Sequence, residues 1–357
     1  MKKIIIDDQI FSIQNSYGGI SRLIVEYINM FNGDNEINFS LPFNYSNNKH
    51  LNISSFKKKE FFPNLNILKK NKILRLLNKN QLYKKIDEAD YDILFLSYMD
   101  THLIRKNKKK LVSIIHDTIP EDESKYFKNI EKYKVEKQEI LDQSDKIITV
   151  SNYTKENLVK LYQINRDKLV VIYPHLTKNK DIKKINLPKK FLLFVGNRDG
   201  YKNFNFLINC ISKVDEINIL CVGGNSFTKD EKKLLISKNL LYRFYHYELS
   251  DEELNFCYQK CICHVIVSEA EGFGVTILEA QKNNCKVLCS DLAIFNEVGE
   301  QSLSYFELNN EDDFLKKLME IINGNYSEMI YSNIKNNLKR FQINETKSKI
   351  KQVFESV

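Results

Sequence analysis

Residues 265–291 read VIVSEAEGFGVTILEAQKNNCKVLCSD, and the chain's fold class follows from how this stretch is parsed. An apolar run ends near Val267, a loop passes through Ser268–Gly274, and Val275–Lys282 has helical periodicity. A second apolar run closes on Ser290-Asp291. Strand, glycine loop, helix and strand is the unit of a doubly wound parallel sheet. Gly272 and Gly274 let backbone approach a ligand and leave amides at a helix N-terminus, where an anionic group such as a diphosphate is favoured. Glu271 and Glu279 bracket that position. Carboxylates there would repel phosphate but accept hydrogen bonds from hydroxyls, as the acidic residue of dinucleotide folds does with ribose. The residues alone leave two readings open, a hydroxyl-binding pair or an exposed acidic loop.

Working outward, the same alternation runs through the whole chain. Ile4–Ile6, Ile93–Ser97, Leu111–Ile115 and Lys146–Val150 read as strands, with helical stretches at Ile20–Phe31, Ile130–Asp142 and Lys155–Tyr162. Between Tyr173 and Lys190 the sequence turns polar and holds Pro174 and Pro188, a linker signature. Strands then resume at Phe191–Val195, Ile217–Val222, Arg243–Tyr247, Cys263–Val267 and Lys286–Ser290. This pattern predicts an α/β protein of two Rossmann-like domains: residues 1–175, a linker at 176–190, and residues 191–338. An amphipathic helix over Glu345–Phe354, within a C-terminal segment 339–357, is free to pack on either domain. Ligands of such sheets bind at the carboxyl ends of strands, so the chemistry is expected in the cleft between the domains.

At 357 residues the chain exceeds one ordinary core, and 43% hydrophobic with 28% charged residues excludes a disordered one. Seven cysteines without paired-ligand spacing, Cys257, Cys261 and Cys263 included, read as buried reduced thiols. MKKIIIDDQIF opens on an apolar run too short for a signal peptide, and no run approaches the roughly 18 residues of a membrane span. A cytoplasmic location is expected. Residues 49–110 carry 16 Lys or Arg against 6 Asp or Glu, an excess larger than the whole chain's +8. With Phe56, Phe61, Phe62, Ile67, Leu68, Ile73, Leu74, Leu76, Leu77, Leu82 and Tyr83 interleaved, this is either a solvated helical face or a surface for anionic lipid or a lipid-linked acceptor. Nucleic acid is not expected as a partner, because no nucleic-acid motif accompanies the charge.

The segment 265–291 resembles the E-x7-E region of the retaining glycosyltransferases of family 4, which have the GT-B fold of two facing Rossmann-like domains. Further blocks resemble that family in the same order: YGGISR (Tyr17–Arg22), IHDTIP (Ile115–Pro120), ITVSNYTKENL (Ile148–Leu158), FVGNRDGYKN (Phe194–Asn203) and LSDEEL (Leu249–Leu254). Two departures stand out. Tyr201 replaces a frequent Arg, and Asn283-Asn284-Cys285 replaces a glycine-containing turn that needs a positive φ, which Asn tolerates.

The resemblance implies a hexosyl transfer from a nucleotide-sugar donor to a glycan or lipid-linked acceptor, set in bacterial surface-polysaccharide assembly. It implies that Glu279 binds the ribose, while Glu271 and the amides of Gly272, Phe273 and Gly274 hold the donor sugar and its phosphate. Arg198 and Lys202 would neutralise the departing diphosphate, with the Asp199-Gly200 turn able to aim both one way. Gly18 and Gly19 would bring backbone to the diphosphate, His116 would contact the sugar near the reacting carbon, and Leu249 would border the base. Asp117 is expected to brace its turn. No cofactor and no metal are implied: Asp90-Tyr91-Asp92 spells D-x-D but precedes its strand, at the end away from the ligand. An epimerase or a catalytically silent nucleotide-sugar-binding protein of this fold is the alternative.

Overall fold

Apolar runs rich in Ile, Leu, Val and Phe, buried on both faces, make the centre of two parallel sheets. In the computed structural model, residues 1–14, 18–51, 56, 58–62, 70–175, 181–324 and 328–357 are described. Tyr17 of the YGGISR block, Ile67 and Leu68 of the basic region and residues 176–180 of the expected linker lie outside them.

The first sheet comprises β1 (Lys2–Ile6), β2 (Ile37–Ser40), β3 (Ile93–Leu96), β4 (Lys110–Ile115), β5 (Lys146–Thr149) and β6 (Leu169–Val171), in the order β2-β1-β3-β4-β5-β6. The second comprises β7 (Phe191–Val195), β8 (Asn218–Val222), β9 (Phe244–Tyr247), β10 (His264–Ile266), β11 (Val287–Ser290) and β12 (Ser304–Phe306), in the order β12-β11-β10-β7-β8-β9. Every pairing is parallel, as Ile6↔Phe95 and His264↔Leu193 illustrate. The strand order reverses between β1 and β3 in the first sheet and between β7 and β10 in the second. Those switch points are where the loops at the carboxyl ends diverge and leave room for a ligand. Two Rossmann-like domains in the GT-B pattern are the result.

The chain divides into two compact units. The first holds Met1–Glu121, Lys128–Pro174 and Asn344–Val357. The second holds His175–Ile343 together with Asp122–Phe127, a piece that the contiguous division at residue 175 did not anticipate. The physical reason is a set of hydrogen bonds to Glu269, described below. From Asn344 onward the helix Ile343–Glu355 lies in the first unit, where Phe354 meets Phe39 and Phe95 edge-on at 5.6 and 5.5 Å. In the second unit Phe206, Phe306 and Phe314 pack mutually within 5.8 Å. All seven cysteines are free thiols, and burial pushes Cys210 and Cys257 up to about 12. Among the described residues no helix is long and apolar enough to cross a membrane.

Candidate active site

In the second unit, the loops after β7 and β10 flank the switch point, and they carry Lys202 and Glu271. Lys202 Nζ donates to Glu271 Oε1, and Ser268 Oγ donates to the same oxygen at 3.0 Å. Both side chains of the ion pair are mostly withdrawn from solvent. Ser290 of β11 holds the root of this loop, its Oγ donating to Ser268 O at 2.7 Å. Phe273 anchors the far end by packing edge-on against Phe341 at 5.8 Å. Gly274 starts the helix Val275–Lys282 with φ +86, and a Cβ there would stand 3.0 Å from the Phe295 ring. Glycine is therefore demanded twice at this position. Gly272 lies half-buried between Glu271 and Phe273.

Glu279 sits half-buried on the helix Val275–Lys282, where Tyr258 donates its hydroxyl to Oε2 at 3.2 Å. Burial pushes the Tyr258 phenol well above its ordinary value, so it stays a donor. Leu249, half-buried, follows the carboxyl end of β9, just before the capping box of Ser250 and Glu253. Asn284 adopts φ +55 in the turn that follows the helix, the conformation expected for the missing glycine.

Arg198 departs from expectation. The sequence suggested that the Asp199-Gly200 turn could aim it alongside Lys202, but the two cations serve different partners. Arg198 Nε donates to Glu231 Oε1 at 2.8 Å, and Nη1 and Nη2 donate to Gly223 O and Asn225 O. Its guanidinium lies 4.8 Å from the Phe227 ring centre, and its side chain is 4% exposed. The acceptors on the β8 side capture it, which makes it a pillar of that loop.

In the first unit, His116 follows β4 and donates Nε2–H to Ser97 O at 3.1 Å. Ser97 N–H in turn donates to Asp7 Oδ1 at 2.5 Å, so the carboxyl ends of β1, β3 and β4 are linked. Desolvation lowers His116 to about 4 and raises Asp7 to about 6. The imidazole is neutral at pH 7, and with Nε2 protonated its Nδ1 is an acceptor. Asp117 Oδ1 takes Ile119 N–H at 3.1 Å and braces the turn. Beneath it, Lys137 Nζ donates to Asp117 O at 3.0 Å and pairs with Glu121 at 2.5 Å, both side chains 1% exposed. Gly18 caps the helix Gly19–Met30 in extended conformation, and the Gln14 carboxamide fills the place of its missing Cβ. Among the described residues, nothing comes within 4 Å of a Cβ built on Gly19. Asp90 and Asp92 lie at the amino end of β3 and accept from Lys3 Nζ and Lys3 N.

Sequence reasoning missed Tyr258, Ser268 and Glu231. Ser268 sits inside the decisive stretch, whereas nothing in the pattern marks the other two as partners of Glu279 and Arg198.

Comparison with known proteins agrees with the two-domain fold. Residues 175–340 match the family model described as glycosyl transferases group 1, and residues 55–176 match that of glycosyltransferase family 4. The O-antigen chain mannosyltransferase RfbU of Salmonella typhimurium is 28% identical over 237 residues, 61% of this chain and 67% of that protein. The Campylobacter jejuni N-acetylgalactosamine-N,N'-diacetylbacillosaminyl-diphospho-undecaprenol 4-alpha-N-acetylgalactosaminyltransferase is 26% identical over 202 residues, 53% of this chain and 54% of that one. The chain thus spans about half to two thirds of the length of these curated relatives. Among solved structures, Anabaena HepE in complex with UDP and glucose aligns over 100% of both chains with a TM-score of 0.75 at 15% identity, a likeness of fold.

Proposed function

This chain belongs to the glycosyltransferases of the GT-B fold, and from that membership we propose the reaction it performs. It moves a hexosyl group from a nucleoside-diphosphate sugar to a hydroxyl of a glycan or lipid-linked acceptor, with retention, in the assembly of a bacterial surface polysaccharide. The observation that carries this reading is the Lys202–Glu271 pair at the β7/β10 switch point, beside the helix that presents Glu279.

The ion pair cancels the Glu271 charge that would otherwise repel an incoming diphosphate. The backbone at Gly272, Phe273 and Gly274, with the positive end of the helix, holds the sugar and its phosphate. Lys202 stabilises the diphosphate as it leaves, worth most where water is excluded. Arg198 would reach that group only by giving up Glu231 and two carbonyls, so the leaving-group charge is assigned first to Lys202. Glu279, with one oxygen fixed by Tyr258, accepts the ribose hydroxyls, and Leu249 borders the base. His116 and the Gly18–Gly19 backbone are assigned to the sugar and diphosphate on the resemblance. As an acceptor at Nδ1, His116 binds a sugar hydroxyl and does not act as an acid. Lys202 and the helix N-terminus supply the positive charge, and no metal or other cofactor is assigned.

A lipid-linked acceptor places the work at the cytoplasmic membrane surface. Supporting this, Ile73, Leu76 and Leu77 on the helix Lys70–Glu88 are 40%, 64% and 42% exposed, with Lys72 and Lys79 beside them.

The test is a thermal-shift panel of UDP-, GDP-, TDP- and ADP-sugars, followed by NMR of the product formed with an acceptor glycan. A stabilising donor and a retained anomeric configuration are expected. Donor isomerised without acceptor would make the protein an epimerase, and no shift with any nucleotide would make it catalytically silent.

A further inference from the structure

The loops that carry Lys202 and Glu271 are gripped by a third segment of the second unit, Asp122–Phe127. Its turn Ser124–Tyr126 brings two donors to one carboxylate: Lys125 Nζ and Tyr126 OH each donate to Glu269 Oε2 at 2.8 Å. The Glu269 side chain is 12% exposed, and its hydrogen bond raises the Lys125 ammonium above the ordinary lysine range. Glu269 also donates its own N–H to Tyr201 O at 2.7 Å, so one residue joins the segment to both loops. The Tyr126 ring lies against Gly200, where a Cβ would come within 3.1 Å of the ring and where φ is +51. Phe127 stacks on Tyr201 at 6.2 Å and 19°. Tyr201 is the residue that departs from the usual Arg, and here it has an aromatic partner to match.

Lys202 directly follows Tyr201, and Glu271 lies two residues past Glu269. Whatever fixes Tyr201 and Glu269 against each other therefore fixes the distance across which Lys202 and Glu271 meet. We propose that Asp122–Phe127 is a strap that sets the Lys202–Glu271 geometry, with Glu269 and Tyr126 as positioning residues of the donor site. The proposal rests on the function proposed above. A strap that merely stabilised the fold would alter melting temperature and leave donor binding unchanged. A strap that positions Lys202 must act through Lys202, and that coupling is measurable.

Tyr126→Phe removes one hydroxyl and keeps the ring on Gly200, and Glu269→Gln serves as a second, isosteric variant. Each is titrated with whichever of UDP, GDP, TDP or ADP shifts the wild-type melting temperature, in the wild-type and in the Lys202→Met background. Loss of one such hydrogen bond is expected to weaken binding about 5-fold in the wild-type background. In the Lys202→Met background the same substitution is expected to have no further effect. Wild-type affinity in both single variants, or the same loss in both backgrounds, overturns the strap. If none of the four nucleotides binds the wild type, the donor assignment falls and the strap falls with it. Binding that is present but insensitive to Tyr126 and Glu269 sinks the strap alone.

Discussion

Replacing His116 by Gln should lessen the protein's loss of stability on acidification by about 3 kcal/mol. His116 is lowered from 6.5 to about 4 by burial, and His264, donating Nδ1–H to Leu193 O, is lowered to about 4 in the same way. A group with a depressed folded pKa lends stability that is complete above its unfolded value, here 6.5. That stability is lost as pH falls toward the folded value near 4. At 1.36 kcal/mol per pH unit each histidine accounts for about 3 kcal/mol across this window. Asp7 works in the opposite sense. Its carboxyl, raised to about 6, favours the folded state as pH drops below 6, so the wild-type curve alone understates the histidines. The comparison that isolates His116 is the difference between wild type and His116→Gln, in which Asp7 and His264 cancel. Gln keeps an N–H for Ser97 O. Urea titrations from about pH 7 to about pH 4 should show the variant losing about 3 kcal/mol less than the wild type. Parallel curves would refute the claim that His116 is held neutral.

Other outcomes follow from single contacts. Tyr258→Phe deletes the donor to Glu279, a hydrogen bond to a charged group, and should weaken nucleotide affinity roughly 10-fold or more by calorimetric titration. Gly274→Ala must take φ +86 and crowd the Phe295 ring, costing about 1–3 kcal/mol in unfolding experiments. Lys137→Met leaves the buried Glu121 without its ion-pair partner, with the Tyr162 hydroxyl still donating to it, and should cost about 3–5 kcal/mol, with Glu121→Gln in the same chain recovering part of it. EDTA should leave transfer unchanged; activity lost and then restored by Mn²⁺ would overturn metal independence.

Much of the fold was legible because its central strands are uninterrupted apolar runs. Phe191–Val195 and the helix Val275–Lys282 fall at the residues the sequence indicated, and others differ by one to three residues. The strands that escaped notice, β2, β6 and β12, are short and lie at sheet edges. Edge strands bury less, so INFS and SYF carry little apolar signal. In the site, the loop 268–274 and its glycines could be read from local chemistry, but the direction of Arg198 could not. Its acceptors Glu231, Gly223 and Asn225 come from elsewhere in the chain, and only the fold brings them near. The same holds for Tyr258 on Glu279 and for Lys125 on Glu269, which is 144 residues away in sequence.

The proposed function stands on the Glu271–Glu279 loop and helix, with Lys202, binding a nucleotide sugar. Its most direct measurement is calorimetric titration of the stabilising donor into wild type, Lys202→Ala and Glu279→Ala, with melting temperatures recorded in parallel. Saturable binding by wild type, weakened roughly 10-fold or more but still measurable in both variants at unchanged melting temperature, is the expected result. Wild-type affinity in either variant would mean that the donor binds elsewhere.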